Sequence, residues 1–302
     1  MLRGTFVALI TPFLGERIDE DALGRLVDWT IACGVDGLVP CGTTGETPSL
    51  TDDEWQRVAT LVIERTAGRV PVVVGTGTNS TTVSIARTRI ARELGATAAM
   101  VVTPYYNKPQ QEGLLRHVIA IADAVDLPLV VYNVPGRTGV NLAPETARRM
   151  VEQAPVVAIK ESSGSLDQTS ELVAAVGDRC AVLSGDDSLT LPIIAVGGQG
   201  VVSVVANIAP AAMSALVRAA LLGDLERARA LHRELFPLAR ALFLETNPVP
   251  VKAAAEMLGL CSGTVRLPLA PLSEANRERL RATLAACPHT AELLERSIGE
   301  AA

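Results

Sequence analysis

Lysine is nearly absent from this chain. Lys108, Lys160 and Lys252 are the only three, and the other 24 of its 27 cations are arginine. Histidine is equally scarce. His117, His232 and His289 stand far apart with no cysteine or carboxylate at metal-ligand spacing, so no metal is expected, and nothing calls for a cofactor. The five cysteines, Cys33, Cys41, Cys180, Cys261 and Cys287, are odd in number and form no C-x-x-C. They read as small buried hydrophobes in a reducing, cytoplasmic compartment rather than as a disulfide framework. A positive stripe is also missing, and a net charge of −6 argues against nucleic acid or an anionic membrane as partner. The uncharged stretch from Ser188 to Val217 is long enough for a membrane span. It is interrupted by Pro192, Gly197, Gly198, Gly200, Asn207 and Pro210, and reads as helix, turn, buried strand, loop, helix. Near the N-terminus, Thr5 to Ile10 faintly mimics a signal peptide. Pro12 cuts it short and Glu16 follows without a small-residue cleavage site, so none is expected.

With 48% apolar and 20% charged residues, the composition is that of a globular chain able to bury a core. Short β-branched apolar runs recur every few tens of residues: Phe6–Ile10, Gly37–Val39, Val70–Val74, Ala98–Val102, Leu129–Tyr132, Val156–Ile159, Ala181–Leu183 and Val201–Val205. Each is near-continuously apolar, the pattern of a parallel strand covered on both faces. Amphipathic segments separate them. Asp19–Cys33 aligns Ala22, Leu23, Leu26, Val27 and Thr30, and Thr51 with Glu54 forms a capping box. Ser80–Leu94 and Pro109–Ala124 follow, the latter with Pro109 suited to a first helical turn. Eight alternations of strand and helix predict an α/β chain folded as a (β/α)8 TIM barrel over residues 1–223. A doubly wound open sheet competes, but no G-x-G-x-x-G opens a helix after the first strand. Beyond residue 223 only helical signals remain: Leu225–Leu244, Val249–Leu258 and Ser273–Ala286. Residues 224–302 are therefore expected to be a C-terminal helical appendage packed on the barrel or on a partner subunit.

In such barrels chemistry sits at the carboxyl ends of the strands. Lys160 ends the run Val156–Ile159. Arginine cannot shed its proton near neutral pH, whereas a desolvated lysine can, and a neutral amine can form a Schiff base with a carbonyl. A lysine snorkelling at a strand end is the competing reading. Gly42-Thr43-Thr44-Gly45 before a helix suits a carboxylate or is an ordinary turn. Tyr132 ends a buried strand, where a phenol beside a lysine can move protons, and Tyr106 and Thr43 could extend that shuttle. Arg137 on a Pro-Gly loop is either a surface arginine or a two-pronged carboxylate clamp. Asp186 and Asp187 lack a third metal ligand and read as backbone or structural groups.

Taken together, Gly42-Thr43-Thr44-Gly45-Glu46, Val102-Thr103-Pro104-Tyr105-Tyr106-Asn107, Tyr132-Asn133-Val134-Pro135-Gly136-Arg137-Thr138-Gly139, Ile159-Lys160-Glu161, Ser184-Gly185-Asp186-Asp187 and Asn247-Pro248-Val249-Pro250-Val251-Lys252 resemble the dihydrodipicolinate synthase / N-acetylneuraminate lyase family, in order along nearly the whole chain. The resemblance implies an enzyme, a lyase of the class I aldolase type. It implies a Schiff base between Lys160 and pyruvate and a relay of Thr43, Tyr132 and Tyr106, with Tyr106 reaching in from a neighbouring subunit. Thr43 and Thr44 would hold the pyruvate carboxylate and Arg137 that of (S)-aspartate 4-semialdehyde, with Gly185 and Val202 lending backbone. The assembly it implies is a homotetramer, a dimer of dimers. Lys108 and Lys252 match no catalytic motif and are expected to be structural or on the surface.

Condensation of the two substrates to 4-hydroxy-tetrahydrodipicolinate, in lysine and diaminopimelate biosynthesis, is the first reading. The alternatives are a pyruvate-dependent aldolase acting on a 2-keto-3-deoxy sugar acid or N-acetylneuraminate, and a non-catalytic ligand-binding barrel. Arg137 with Tyr106 favours an acceptor bearing its own carboxylate. Ser162 departs from the alanine that often follows the Lys-Glu or Lys-Asp pair in the synthases. The resemblance further implies that lysine, where it inhibits, binds near Thr47, Pro48, Asp52, Trp55, Asn79, Val83 and Tyr105. Sensitive bacterial members have a glutamate where Val83 stands, Trp55 is expected to fill part of the cleft, and feedback should be weak or absent.

Overall fold

Strand pairing in the main sheet is parallel and sequential. The computed structural model describes residues 2–301, and among these eight strands form one sheet: β1 Gly4–Ala8, β2 Gly37–Val39, β3 Val73–Gly75, β4 Ala98–Val102, β5 Leu129–Asn133, β6 Val156–Glu161, β7 Ala181–Ser184 and β8 Gly200–Ser203. β1 pairs with both β2 and β8, and a parallel bridge from Leu38 to Val72 joins β2 to the start of β3, closing the ring. The expected (β/α)8 TIM barrel is therefore present, with helices between successive strands and further helices after the last.

Alternation along each strand separates two apolar layers. Phe6, Ala8, Met100, Val130, Tyr132, Ala158, Leu183 and Val202 face inward and fill the barrel. Val7, Val101, Val131, Ile159, Val182 and Val201 face outward, against the helices. Strand β6 breaks this period once. Leu129 pairs with Val156 but Val130 pairs with Ala158, so Val157 is a bulge residue. Val156 joins the outer layer, whereas both Val157 and Ala158 pack against the inner one. Above the bulge alternation resumes and places Lys160 inside, directly across from Tyr132. Bulges of this kind re-aim side chains near functional sites.

The helices fill the anticipated segments, the first three of which open with a capping side chain. Asp19 caps Glu20–Ala32, Thr51 and Glu54 form the capping box of Asp52–Thr66, and Ser80 caps Thr81–Glu93. Pro109 is not in a helical turn, because the next helix begins at Gln111, two residues later. The uncharged stretch is helix Thr190–Ala195, strand β8 and helix Pro210–Leu221. Among the described residues no helix is long and apolar enough to cross a membrane. Not anticipated were a short hairpin, Phe13–Leu14 with Arg17–Ile18, a one-turn helix, Pro135–Thr138, where a loop was expected, and a last helix, Ala291–Ala301.

The helices after residue 223 are tied to the barrel mouth by charge as well as by apolar packing. Lys252 is wholly buried, so of the two expected placements it is structural rather than on the surface. Its Nζ donates to Glu46 at 2.5 Å and to the Thr11 carbonyl at 2.9 Å. It also lies 4.1 Å from the centre of the Phe13 ring, whose other contact is the Arg266 guanidinium at 4.3 Å. Arg266 donates its backbone N–H to Glu46 and its guanidinium to Glu54, which holds the Glu54 carboxyl down at about 2. Burial pulls the Lys252 ammonium below its ordinary value, and Glu46 opposes that pull. Glu46 itself has a left-handed backbone (φ 54°) at the end of the Gly42–Gly45 loop.

Removing one partner of such a pair strands a buried charge, which typically costs about 3–5 kcal/mol. Lys252→Met is expected to lower the thermal midpoint sharply, and adding Glu46→Gln should recover much of the loss. Calorimetric melts of the wild type, single and double variants check this.

Candidate active site

The strand register gathers the site at the carboxyl end of the barrel. Lys160 is 6% exposed, and its Nζ lies 4.1 Å from the centre of the Tyr132 ring. On the outer face of the same strand, Glu161 accepts from Asn133 Nδ2 and from the Ser163 N–H, which ties the tips of β5 and β6 together. Lys160 sits in a cavity of about 100 Å³ that is also lined by Thr43, Thr44, Tyr132, Arg137 and Gly185. Six of the expected site residues thus share one cavity.

Two do not. Val202 belongs to the inner apolar layer of the barrel, and Val204, two residues on, lines the cavity instead. Tyr106 is 89% exposed and lines no part of this cavity, so within one chain it does not converge on Lys160 as a third hydroxyl. Its backbone is left-handed (φ 72°).

Loop contacts hold the cavity wall. Thr44 Oγ1 accepts from Asn247 Nδ2 at 2.9 Å, and Arg137 Nη2 donates to the Asn247 carbonyl at 3.1 Å. Arg137 lies in a short helix, Pro135–Thr138, and is exposed as anticipated. Gly185 has no room for a side chain: a Cβ there would come within 1.9 Å of Ser162 Oγ. Asp187 is structural. It is buried and accepts from the Ser203 hydroxyl and from the Val204 and Val205 N–H groups, and its pKa is nevertheless raised, chiefly by burial. Asp186, by contrast, lines the cavity. Burial pushes its carboxyl up to about 6, and Lys160 acts in the opposite direction.

A second cavity of about 500 Å³ adjoins the first and shares Thr43, Tyr132, Val134 and Arg137 with it. Thr47, Pro48, Asn79, Val83 and Tyr105 line it, as the effector reading requires. Trp55 and Asp52 do not. Trp55 is buried and donates its indole N–H to the Gly75 carbonyl, so it does not fill the cleft. Asp52 pairs with Arg87 at 2.8 Å. Arg87 lines the cavity and stands 5.4 Å over the Trp55 ring.

Sequence reasoning overlooked Arg87, Asn247 and the position of Asp186. Arg87 was one arginine among 24 on an amphipathic helix. Asn247 carried a signal, since it lies in a proline-rich joint that belongs to the motif set, but its approach to the barrel mouth depends on tertiary packing alone.

Known proteins resemble this chain over nearly all of its length. The profile of the Dihydrodipicolinate synthetase family matches residues 1–287. A 4-hydroxy-tetrahydrodipicolinate synthase from Thermomicrobium roseum is 81% identical over 302 residues, covering all of both chains. One from Pelobacter propionicus is 54% identical over 94% of this chain and 98% of its own. The crystal structure of a chloride-inhibited dihydrodipicolinate synthase from Acinetobacter baumannii complexed with pyruvate superposes with a TM-score of 0.94 at 43% identity, over 96% of this chain and all of its own. From the closed barrel, the lysine at the tip of its sixth strand and these full-length matches, the chain belongs to the dihydrodipicolinate synthetase family.

Proposed function

We propose that Lys160 carries a condensation of pyruvate with (S)-aspartate 4-semialdehyde. The observation behind this reading is one buried lysine against a tyrosine ring, in a small cavity with Thr44 and Arg137 on its wall. Lys160 Nζ adds to the pyruvate keto carbon and water leaves, giving an imine. Loss of a methyl proton gives an enamine, whose carbon attacks the aldehyde to form the new carbon–carbon bond. The acceptor's own amine then displaces Lys160 and closes the ring, yielding 4-hydroxy-tetrahydrodipicolinate for lysine and diaminopimelate biosynthesis.

Tyr132 and Thr43 are placed to move the protons these steps require, and Thr43 and Thr44 to hold the pyruvate carboxylate. Arg137 presents a guanidinium to the acceptor's carboxylate, a match a sugar aldehyde does not need. Gly185 lends backbone, and Val202 packs beneath. The exposure of Tyr106 supports its serving a neighbouring subunit's relay, in a homotetramer built as a dimer of dimers. Free cysteines support a reducing, cytoplasmic setting.

Pyruvate with borohydride should label Lys160, because reduction traps the imine. Labelling that survives in Lys160→Ala, or that maps to Lys108 or Lys252, would remove the assignment. Lys160→Arg should be inactive, since arginine keeps charge but not nucleophilicity. Arg137→Ala should leave imine formation intact and weaken use of the semialdehyde by roughly 2–5 kcal/mol in kcat/KM. Equal loss of both steps would show that Arg137 supports the loop instead.

Feedback by lysine is expected to be weak or absent. Among the described residues no carboxylate lines the larger cavity; its charged walls are Arg87 and Arg137. An ammonium placed there would lack a partner and meet like charge. Steady-state rates with L-lysine titrated into the millimolar range decide this, and strong partial inhibition below one millimolar would overturn it.

A further inference from the structure

Asn247 is the one cavity residue that touches both substrate-holding loops. Its side-chain amide donates to Thr44 Oγ1, and its backbone carbonyl accepts from Arg137 Nη2. It is 6% exposed, and the remaining polar atom of its side chain, Oδ1, is buried with no hydrogen-bond partner among the described residues. A buried acceptor left unpaired is costly, and such groups in a ligand cavity are commonly satisfied by the ligand. The acceptor substrate is an α-amino acid, whose carboxylate and ammonium are borne on one carbon and so lie within about 3 Å of each other. If Arg137 takes the carboxylate, the group that takes the ammonium must stand next to Arg137, and Asn247 is hydrogen-bonded to it. Two other acceptors line the cavity, Asp186 and the likewise unpaired Ser162 Oγ, which lies against Gly185, but neither is hydrogen-bonded to Arg137.

We propose that Asn247 Oδ1 accepts a hydrogen bond from the α-ammonium group of the aldehyde substrate, so that Arg137 and Asn247 together select an α-amino aldehyde over one carrying a carboxylate alone. This rests on the proposed role of Arg137 and deepens it. Asn247 is then a specificity residue supplied by the helices after the barrel, while the lysine chemistry is supplied by the barrel itself. The ammonium held there keeps the amine near the carbon it must later attack, so the same contact orients ring closure.

Succinate semialdehyde, which has the carboxylate and aldehyde but no amine, is the probe. Because it lacks the amine that releases Lys160, its affinity for the pyruvate-charged enzyme is read as a competitive Ki. The preference is the ratio of that Ki to the KM of aspartate semialdehyde, which in the wild type should favour the amine. Asn247→Ala should lower that preference roughly 10- to 100-fold, the range of one hydrogen bond to a charged group. Any loss common to both aldehydes reports the loosened Thr44 and Arg137 loops, and borohydride trapping of pyruvate confirms that the variant is folded. Asn247→Asp, which retains an acceptor, should keep the preference for the amine. A preference unchanged in Asn247→Ala, or lost equally in Asn247→Asp, overturns the assignment. Failure of the proposed function has a different signature, a wild-type enzyme that forms no imine or does not turn over aspartate semialdehyde.

Discussion

The buried pair of Lys252 and Glu46 is the contact on which the barrel mouth depends. Burying two charges is expensive, and an apolar pair of the same volume can be as stable or more so. What an apolar pair could not do is fix one backbone in one place. Glu46 closes the Gly42–Gly45 loop in a left-handed conformation, and both its carboxylate oxygens are claimed, one by Lys252 and one by the Arg266 N–H. The loop that presents Thr43 and Thr44 is thereby anchored at its far end by residues more than 200 positions away. Phe13 adds a cation–π contact with the Lys252 ammonium and another with the Arg266 guanidinium, and ties in the N-terminal hairpin.

Around that anchor the site divides into two kinds of support. The lysine and tyrosine stand on adjacent strands, held by backbone pairing on either side. The groups assigned to carboxylates, Thr44 and Arg137, stand on loops and are held by Asn247. Strands give the proposed covalent chemistry a rigid base, and loops give the groups assigned to substrate a separate one.

Much of this was legible in the sequence because its causes are local. Runs of apolar residues covered on both faces report a parallel barrel, and Thr51 with Glu54 or Asp19 alone suffices to start a helix. Rarity also helped, since a chain that otherwise uses arginine draws attention to each of its three lysines. The same argument did not separate Lys160 from Lys252, because both are buried and only the fold gives one an open cavity and the other a carboxylate partner. Pro109 was read as helical from residue type, yet the helix starts two residues later. Trp55 was expected in the cleft from size, but its indole N–H has a backbone carbonyl to satisfy deeper in the core. Asn247 and Arg87 act through neighbours distant in sequence, and no local pattern encodes that.

The bulge at Val157 reaches further than its size. Read upward from Val156 in strict alternation, Lys160 would fall on the outer face, against the helices, and Glu161 on the inner. One surplus residue in β6 reverses that order. The identity of the reactive group is therefore written in the parity of a strand as much as in its side chains. Flattening the bulge with every residue kept would exchange an amine for a carboxylate at the centre of the barrel, whereas deleting Val157 would leave a regular strand with Lys160 still inside.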